Sequence, residues 1–176
     1  MRINTARQFA KSGDPCRILG LDPGSRVTGY GLVDMLGADI RFVACGVIKT
    51  NTKQAFPLRL KEIYDGVDEV IFTHKPQMAA VEDIFFASNP KSALKLGQAR
   101  GAIIIAAMNH HLPLSEYTAK QVKQAVAGYG QAAKEQVQHM VRVLLGLNAP
   151  PSEDASDALA IALCQANHLE NEFETS

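Results

Sequence analysis

Cysteine is scarce in this sequence of 176 residues, and a long uninterrupted apolar run is missing. The three cysteines, Cys16, Cys45 and Cys164, are odd in number and far apart, which excludes a disulfide framework and a zinc knuckle. No apolar run reaches the roughly 18 residues that a membrane-spanning helix needs. Residues 1–14 lack the apolar centre of a secretion signal. These absences predict a protein of the reducing cytoplasm without a membrane segment.

An excess of charge of either sign is missing as well, since 18 Lys and Arg balance 18 Asp and Glu. The charges are nevertheless distributed unevenly. Residues 91–142 carry seven Lys and Arg against two Asp and Glu, whereas residues 143–176 carry six acidic residues and no Lys or Arg. A basic middle segment is compatible with nucleic-acid binding. On charge alone, a set of solvated helix faces is the simpler interpretation.

The pattern that is present is typical of one α/β domain. Three β-rich segments with short turns between them predict an antiparallel meander. Helical periods and short apolar runs then alternate, which predicts a mixed five-stranded sheet with helices on both faces. The strands are predicted at 17–22, 28–35, 39–49, 77–82 and 112–117, and the helices from 57, 90, 118, 132 and 152.

The domain is expected to span residues 16–168. A flexible lead-in is predicted at residues 1–15, and a short acidic tail is predicted at 169–176. The last helix is predicted to begin after Ser152, a common capping residue, and to end at about His168. No internal repeat and no second domain boundary are apparent in the sequence.

Four acidic residues occupy unusual places in this pattern. Asp22 ends the first predicted strand, and Glu82 ends the fourth. Asp154 and Asp157 lie three residues apart in the first turns of the last predicted helix, so they share one helix face. Strands one and four are expected to be parallel neighbours, which brings both strand ends to the edge that the helix start can reach. The sequence therefore predicts a cluster of four carboxylates.

Such a cluster is unstable by itself because like charges a few ångströms apart repel each other. Divalent cations would remove the conflict, and hard oxygen ligands suit Mg²⁺ or Mn²⁺. Two ions about 4 Å apart can activate water and stabilise the leaving oxygen in phosphodiester hydrolysis. In that case the acids are metal ligands rather than general acids.

Each acid also has an ordinary explanation when it is taken alone. Asp22 could start an Asp-Pro-Gly turn, and Glu82 could be a solvated strand end. Asp154 and Asp157 could interact with the dipole of the helix. Two strand-end acids and a helical pair within one small domain favour the metal site over this set of separate explanations.

Seven segments of the sequence match the motifs of one protein family, in the family's order and over about residues 17–168. On these segments the chain closely resembles the RuvC family of bacterial Holliday-junction endonucleases. It departs from the family at its start, where about 15 residues precede the first predicted strand. The segments are LGLDPGSRVTGYG (19–31), PLRLKEIYDGV (57–67), VEDIF (81–85), SALKLGQARG (92–101), AKQVKQAVAGYG (119–130), KEQVQHMVR (134–142) and EDASDALAIAL (153–163).

The resemblance implies a ribonuclease-H-like fold and a homodimer that cleaves four-way DNA junctions in recombination and repair. It implies two Mg²⁺ ions per active site, for which Mn²⁺ can substitute, and the RuvA and RuvB branch-migration complex as partners. By position, the residues that match the family's catalytic metal ligands are Asp22, Glu82, Asp154 and Asp157.

Three further residues match family positions that contact DNA. Phe85 lies where the family has an aromatic side chain that contacts junction bases, and core packing is its alternative role. Lys123 and Lys134 match basic positions of the active-site and DNA surface, and a solvated helix face is the alternative for both.

The predicted helix at about 90–111 has two possible roles. Its small residues could provide close contacts between two subunits, or the helix could be buried in the core of its own chain. The small residues are Ala93, Gly97, Gly101, Ala102 and Ala106.

Three other functions compete with this interpretation. An actin-like ATPase or sugar kinase shares the strand-end acid followed by glycines, but it needs two such domains and 176 residues hold one. A ribosomal-RNA-processing nuclease of the same fold is usually shorter, and the LGQARG and QVKQ segments fit RuvC better. A junction-binding scaffold without catalysis conflicts with the intact set of four acids.

Overall fold

The predicted mixed sheet of five strands is present in the structure, a computed structural model that describes residues 13–83 and 89–174. The strands follow the predicted order along the chain, and three of them precede the first helix. Their bounds are β1 Cys16–Asp22, β2 Val27–Leu36, β3 Asp39–Lys49, β4 Met78–Glu82 and β5 Leu114–Tyr117.

Within the described residues the sheet has the strand order β3-β2-β1-β4-β5. Strands β1, β2 and β3 form the predicted antiparallel meander, whereas β4 is parallel to β1 and β5 is parallel to β4. Leu21 of β1 pairs with Val81 of β4. The next residues along these strands, Asp22 and Glu82, therefore end side by side at one edge of the sheet.

Helices cover both faces of the sheet, as predicted. On one face, two helices pack against the sheet through a core that contains Leu21, and on the other face three helices pack through a core that contains Ile18. The first pair is α1 Phe56–His74 and α2 Pro90–Asn109, and the other three are α3 Ala119–Ala127, α4 Lys134–Leu144 and α5 Glu153–Glu174.

The alternation of side chains along the strands decides which helices the strand-end acids face. Successive residues of a strand point to opposite faces of the sheet. Asp22 lies four residues after Ile18, and Glu82 lies two residues after Ala80; Ile18 and Ala80 both belong to the core under α3, α4 and α5. Both acids therefore point toward the layer that contains α5.

The last helix is longer than predicted. The sequence places its end at about His168, whereas α5 continues to Glu174. Leu169 packs into the core beneath α5 and is buried, so the helix continues past the predicted end. The predicted helix end is therefore wrong. Most of the predicted lead-in at 1–15 lies outside the described residues.

Three glycines let α5 approach the sheet closely. A Cβ added to Gly20 would lie 2.1 Å from the carbonyl oxygen of Ala158, and one added to Gly29 would lie 2.0 Å from that of Asp154. A Cβ on Gly31 would lie 2.7 Å from the backbone nitrogen of Leu159. Any larger residue at these positions would push α5 away from β1 and β2.

No helix within the described residues is long and apolar enough to cross a membrane.

We expect Gly20→Ala to lower the free energy of unfolding by about 2–3 kcal/mol, because its methyl group would collide with the backbone of α5. Urea unfolding followed by far-ultraviolet circular dichroism measures the loss. Gly46→Ala is the matched control on β3, where the added Cβ would lie 2.6–2.9 Å from the hydroxyl and two ring carbons at the end of the Tyr30 side chain, which can move more easily than a helix backbone. A smaller loss is expected there, and equal losses would contradict the proposed role of Gly20.

Candidate active site

The four predicted acids lie at one edge of the sheet, where the start of α5 crosses the ends of β1 and β4. Asp22 pairs with Gly29 across the two strands, and the carbonyl of Asp154 lies directly over Gly29. Asp157 follows one helical turn later on α5. The close approach of α5 at Gly29 thus brings its two acids to the strand-end acids.

Burial and mutual repulsion make three carboxyl groups of the cluster difficult to ionise, those of Asp22, Glu82 and Asp157. Burial raises the pKa of Asp22 from 3.8 to about 8, and the negative charges of Asp157, Glu82 and Asp154 add to the effect. Burial also raises the pKa of Glu82, and the charge of Asp157 contributes. The pKa of Asp157 is raised by burial as well, although the hydrogen bond from Lys134 opposes it. The site therefore disfavours four simultaneous negative charges.

Lys134, the first residue of α4, is the cation that faces this cluster. Its Nζ donates to Oδ2 of Asp157 at 2.9 Å and also to Oε1 of Glu153. Burial alone would lower the pKa of Lys134, but the hydrogen bonds to Glu153 and Asp157 outweigh burial and raise it. Sequence reasoning missed Glu153 as a partner, because only the packing of α4 beside α5 brings it to Lys134.

A cavity of about 220 Å³ opens beside the acids and contains both predicted lysines. Its polar lining comes from Glu82, Asp157, Lys123 and Lys134, and its apolar lining comes from α3, α4 and α5. The charges of Lys134 and Lys123 partly oppose the raised pKa of Glu82, so Lys123 is electrostatically coupled to the site. An anionic ligand in this cavity would meet two cations beside two carboxylates.

Arg100 of α2 contacts the end of β4, and no role for it was predicted from the sequence. Its Nε donates to the carbonyl oxygen of Glu82 at 3.1 Å. Its Nη2 pairs with Glu116 of β5 and lies 3.6 Å from Oδ1 of Asp83. This half of the site is fixed by contacts among three elements that are distant in sequence, so no local motif indicates them.

The donor chemistry of the four acids fits divalent cations, since carboxylate oxygens are the ligands that Mg²⁺ and Mn²⁺ prefer. Among residues 13–83 and 89–174, however, no three His, Cys, Asp or Glu side chains are placed closely enough to hold one ion together. The Asp157 carboxylate is paired with Lys134 instead. If Asp157 is a metal ligand, as the sequence predicts, it would have to exchange the ammonium group of Lys134 for the metal ion.

Phe85, the predicted contact to DNA bases, lies outside the described residues, and its role stays a prediction. Lys123 and Lys134 are brought to the acids by α3 and α4, two helices that the sequence predicts separately. Their contact with DNA likewise stays a prediction.

This sheet order, with helices on both faces, is the architecture of the ribonuclease-H-like α/β class. The predicted fold is confirmed by the structure of T. thermophilus RuvC in complex with Holliday junction substrate, to which the TM-score is 0.84 at 39% sequence identity. That match covers 89% of this chain and 96% of the other. The sequence model of the family described as Crossover junction endodeoxyribonuclease RuvC matches residues 18–165. The chain belongs to the RuvC family.

Curated relatives agree with this assignment over most of their length. The Crossover junction endodeoxyribonuclease RuvC of Azoarcus sp. (strain BH72) is 59% identical over 151 residues, which are 86% of this chain and 82% of that protein. The protein of the same name from Geobacter metallireducens is 56% identical over 151 residues, which are 86% of this chain and 92% of that protein. The predicted resemblance is thereby confirmed.

Without bound metal ions, the contribution of Asp22 to the free energy of unfolding should fall as the pH rises from about 4 to about 8. Folding raises the pKa of Asp22 to about 8, so the folded state keeps a proton that the unfolded state releases. This contribution is complete below the unfolded pKa and is lost as the pH passes the folded pKa. One pKa unit corresponds to about 1.4 kcal/mol. We expect the free energy of unfolding to fall by about 3 kcal/mol, which corresponds to half of the rise in the pKa of Asp22 from 3.8 to about 8.

Asp22→Asn removes this titration, because the amide carries no charge at either pH. In EDTA, we expect the variant to be more stable than the wild type by about 2–3 kcal/mol at about pH 8, with a smaller difference at about pH 5. Urea unfolding at both pH values measures the difference. Asp39→Asn replaces an exposed acid and is the control. An Asp22 variant that is no more stable than the wild type at about pH 8 would refute the electrostatic description.

Proposed function

We propose that this chain is an endodeoxyribonuclease that resolves four-way (Holliday) DNA junctions by paired symmetric nicks. Its membership of the RuvC family supports the substrate class. The observation that carries the proposal is the cluster of acids at the ends of β1 and β4 and the start of α5. The pKa values of Asp22, Glu82 and Asp157 are raised by burial and by neighbouring negative charges, as expected for a group of carboxylates that cations would stabilise.

We propose Mg²⁺ as the cofactor, with two ions per site and Mn²⁺ as a substitute. The residues that would hold these ions are Asp22, Glu82, Asp154 and Asp157. Bound there, the metal ions supply activation of the attacking water and stabilisation of the leaving oxygen, which leaves 5′-phosphate and 3′-hydroxyl ends. The acids act as ligands, and the buried strand ends keep Asp22 and Glu82 in place.

Lys123 and Lys134 are proposed to bind phosphates of the DNA. Both line the cavity beside Glu82 and Asp157, so they offset the repulsion between these acids and the DNA backbone. With a metal ion held by Asp157, Lys134 would lose one of its two carboxylate partners, and its ammonium group would be available to a phosphate. Phe85 is proposed to contact junction bases. Binding through such cations weakens as the salt concentration rises.

A homodimer is proposed because a four-way junction has approximate two-fold symmetry, and a symmetric dimer presents two matched active sites to it. Helix α2 has an exposed apolar stripe that suits this role. Leu94, Ile105 and Met108 are 65%, 54% and 41% exposed. They lie on one helix face together with Gly97 and Gly101, and a Cβ on either glycine would meet nothing within 4 Å. A partner backbone could approach closely there.

The two roles considered for this helix apply to different faces of α2. Ala106 is fully buried in the core of its own chain, and Ala102 packs against the same core. Of the two roles left open for this helix, core packing therefore applies to Ala106, because its side chain is buried in the core of its own chain.

The cellular role is proposed from family membership. We propose that the chain acts in homologous recombination and DNA repair in the cytoplasm, with the RuvA and RuvB branch-migration complex as its partner. A junction that is moved by such a motor must finally be cut, which is the reaction that the acid cluster would perform.

We expect wild-type protein to cut a synthetic mobile four-way junction in Mg²⁺, with symmetric nicks that disappear in EDTA. Asp22→Asn should reduce the cutting rate more than about 100-fold, since even residues that only orient a metal ligand contribute 10–100-fold. Gel shifts should show that the variant still binds the junction. Asp39→Asn is the control, and linear duplex and RNA serve as control substrates. Undiminished cutting by the Asp22 variant would remove that residue from the mechanism.

We expect Ile105→Asp to convert the dimer into a monomer, because a buried charge at the centre of the apolar stripe is costly. Sedimentation equilibrium measures the mass. Leu58→Asp is the matched control on α1, since Leu58 and Ile105 are both 54% exposed. A dimer that survives Ile105→Asp would place the interface elsewhere.

A further inference from the structure

Arg26 is an exposed arginine in the turn that follows Asp22. Residues 23–26 connect β1 to β2 at the edge of the sheet that carries the acids. The Arg26 side chain has no hydrogen-bond or ion-pair partner within residues 13–83 and 89–174. Its guanidinium group is therefore available to a ligand, four residues along the chain from Asp22.

The backbone of this turn is held in place by hydrogen bonds from three directions. Thr28 Oγ1 donates to the carbonyl of Gly24 at 3.0 Å. The backbone nitrogen of Thr50 donates to the carbonyl of Arg26 at 3.0 Å, and its hydroxyl donates to that of Ser25 at 3.1 Å. The flexible Arg26 side chain therefore extends from a fixed backbone position.

Arg59 of α1 donates the third set of hydrogen bonds around this turn. It is only 8% exposed, and its Nε donates to Oγ1 of Thr50 at 3.1 Å while its Nη2 donates to the carbonyl of Ser25. No carboxylate among the described residues forms an ion pair with it. A buried charge without an acidic partner is costly, and apolar residues in such places usually serve stability equally well. The Arg59 guanidinium also lies 5.4 Å from the centroid of the Phe56 ring, and its two hydrogen bonds connect α1 to Thr50 and to the turn.

Arg26 is the last residue of the turn before β2, so its backbone lies at the β2 end of the edge that carries the acids. The sheet order places β2 on one side of β1 and β4 on the other. Lys123 and Lys134 line the cavity that contains Glu82 at the end of β4, and Arg26 is not part of that lining. A DNA strand that crosses Asp22 and Glu82 would also extend past the β2 end of this edge. A cation there would offset the repulsion between the DNA phosphates and the carboxylates.

We propose that Arg26 is a further substrate-binding residue, which contacts a backbone phosphate on the β2 side of the acids, and that Arg59 is the positioning residue that fixes its turn. This inference rests on the proposed function, because it assumes a DNA strand across the acid cluster.

The test compares the affinity of wild type and Arg26→Gln for a synthetic four-way junction in EDTA, where no cutting occurs, over a series of salt concentrations. Loss of one phosphate contact should reduce the slope of log K against log salt by about 0.9. Relative to their affinities at 1 M salt, Arg26→Gln should therefore bind the junction about eightfold more weakly than the wild type at 0.1 M salt.

Arg41→Gln is the matched control, because it removes the same charge from a distant part of the sheet. Arg41 pairs with Asp34, which also pairs with Arg17 at the start of β1. Arg41 therefore lies at the level of Arg17, which is five residues from Asp22, or about 17 Å along the strand. An unchanged salt slope is expected for this control. Equal losses in the two variants, or none in Arg26→Gln, would overturn the proposal.

The role of Arg59 is tested by a double-mutant cycle. If Arg59 acts through Arg26, Arg59→Met should weaken binding in the wild type but have little further effect in Arg26→Gln. Additive losses would overturn the positioning role. Arg59→Lys, which keeps the charge but loses the planar fork of donors, replaces the Met variant if that variant does not fold.

Junction cutting by the wild-type protein in Mg²⁺ is measured alongside these affinities. Absence of cutting would contradict the proposed function. Normal cutting with an unaltered Arg26→Gln salt slope would contradict only the assignment of Arg26.

Discussion

The contact between helix α5 and strands β1 and β2 is the constraint on which the candidate active site depends. The backbone of α5 lies so close to Gly20 and Gly29 that neither position has room for a Cβ. This short distance brings Asp154 and Asp157 to the strand-end acids. The same contact buries Asp22, and burial is the main reason that its pKa is raised. Packing and electrostatics at this site therefore have one origin.

Two cations, Lys134 and Arg59, stabilise the region of the acid cluster in different ways. Lys134 pairs directly with Asp157 and Glu153 in the cavity, so it compensates the site in the absence of metal ions. Arg59 instead forms hydrogen bonds to neutral groups and holds the turn after Asp22. The backbone of the turn is therefore held by hydrogen bonds that do not involve the acids, whereas Lys134 compensates the charge of Asp157 directly.

Much of the fold follows from local pattern. The sequence predicts β3 at residues 39–49, which are the bounds that the structure has, because the alternating residues and the flanking turns are local features. It predicts α5 less well, because the helix continues past His168 through the burial of Leu169, a tertiary contact. The same limit applies to Arg100 and Glu153, whose partners lie on other elements. Both residues lie in segments that match the family, but the sequence of a segment does not show which residues of other elements it contacts.

The sequence by itself determined the class of fold, the four acids and their positions at strand ends and a helix start, because each of these is encoded in spacing along the chain. Only the tertiary structure decided that Lys134 pairs with Asp157, that Ala106 faces the core, and that Arg59 holds the turn beside Asp22. These are contacts between elements that packing brings together. Their energies depend on distance and burial in space, which residue order alone does not specify.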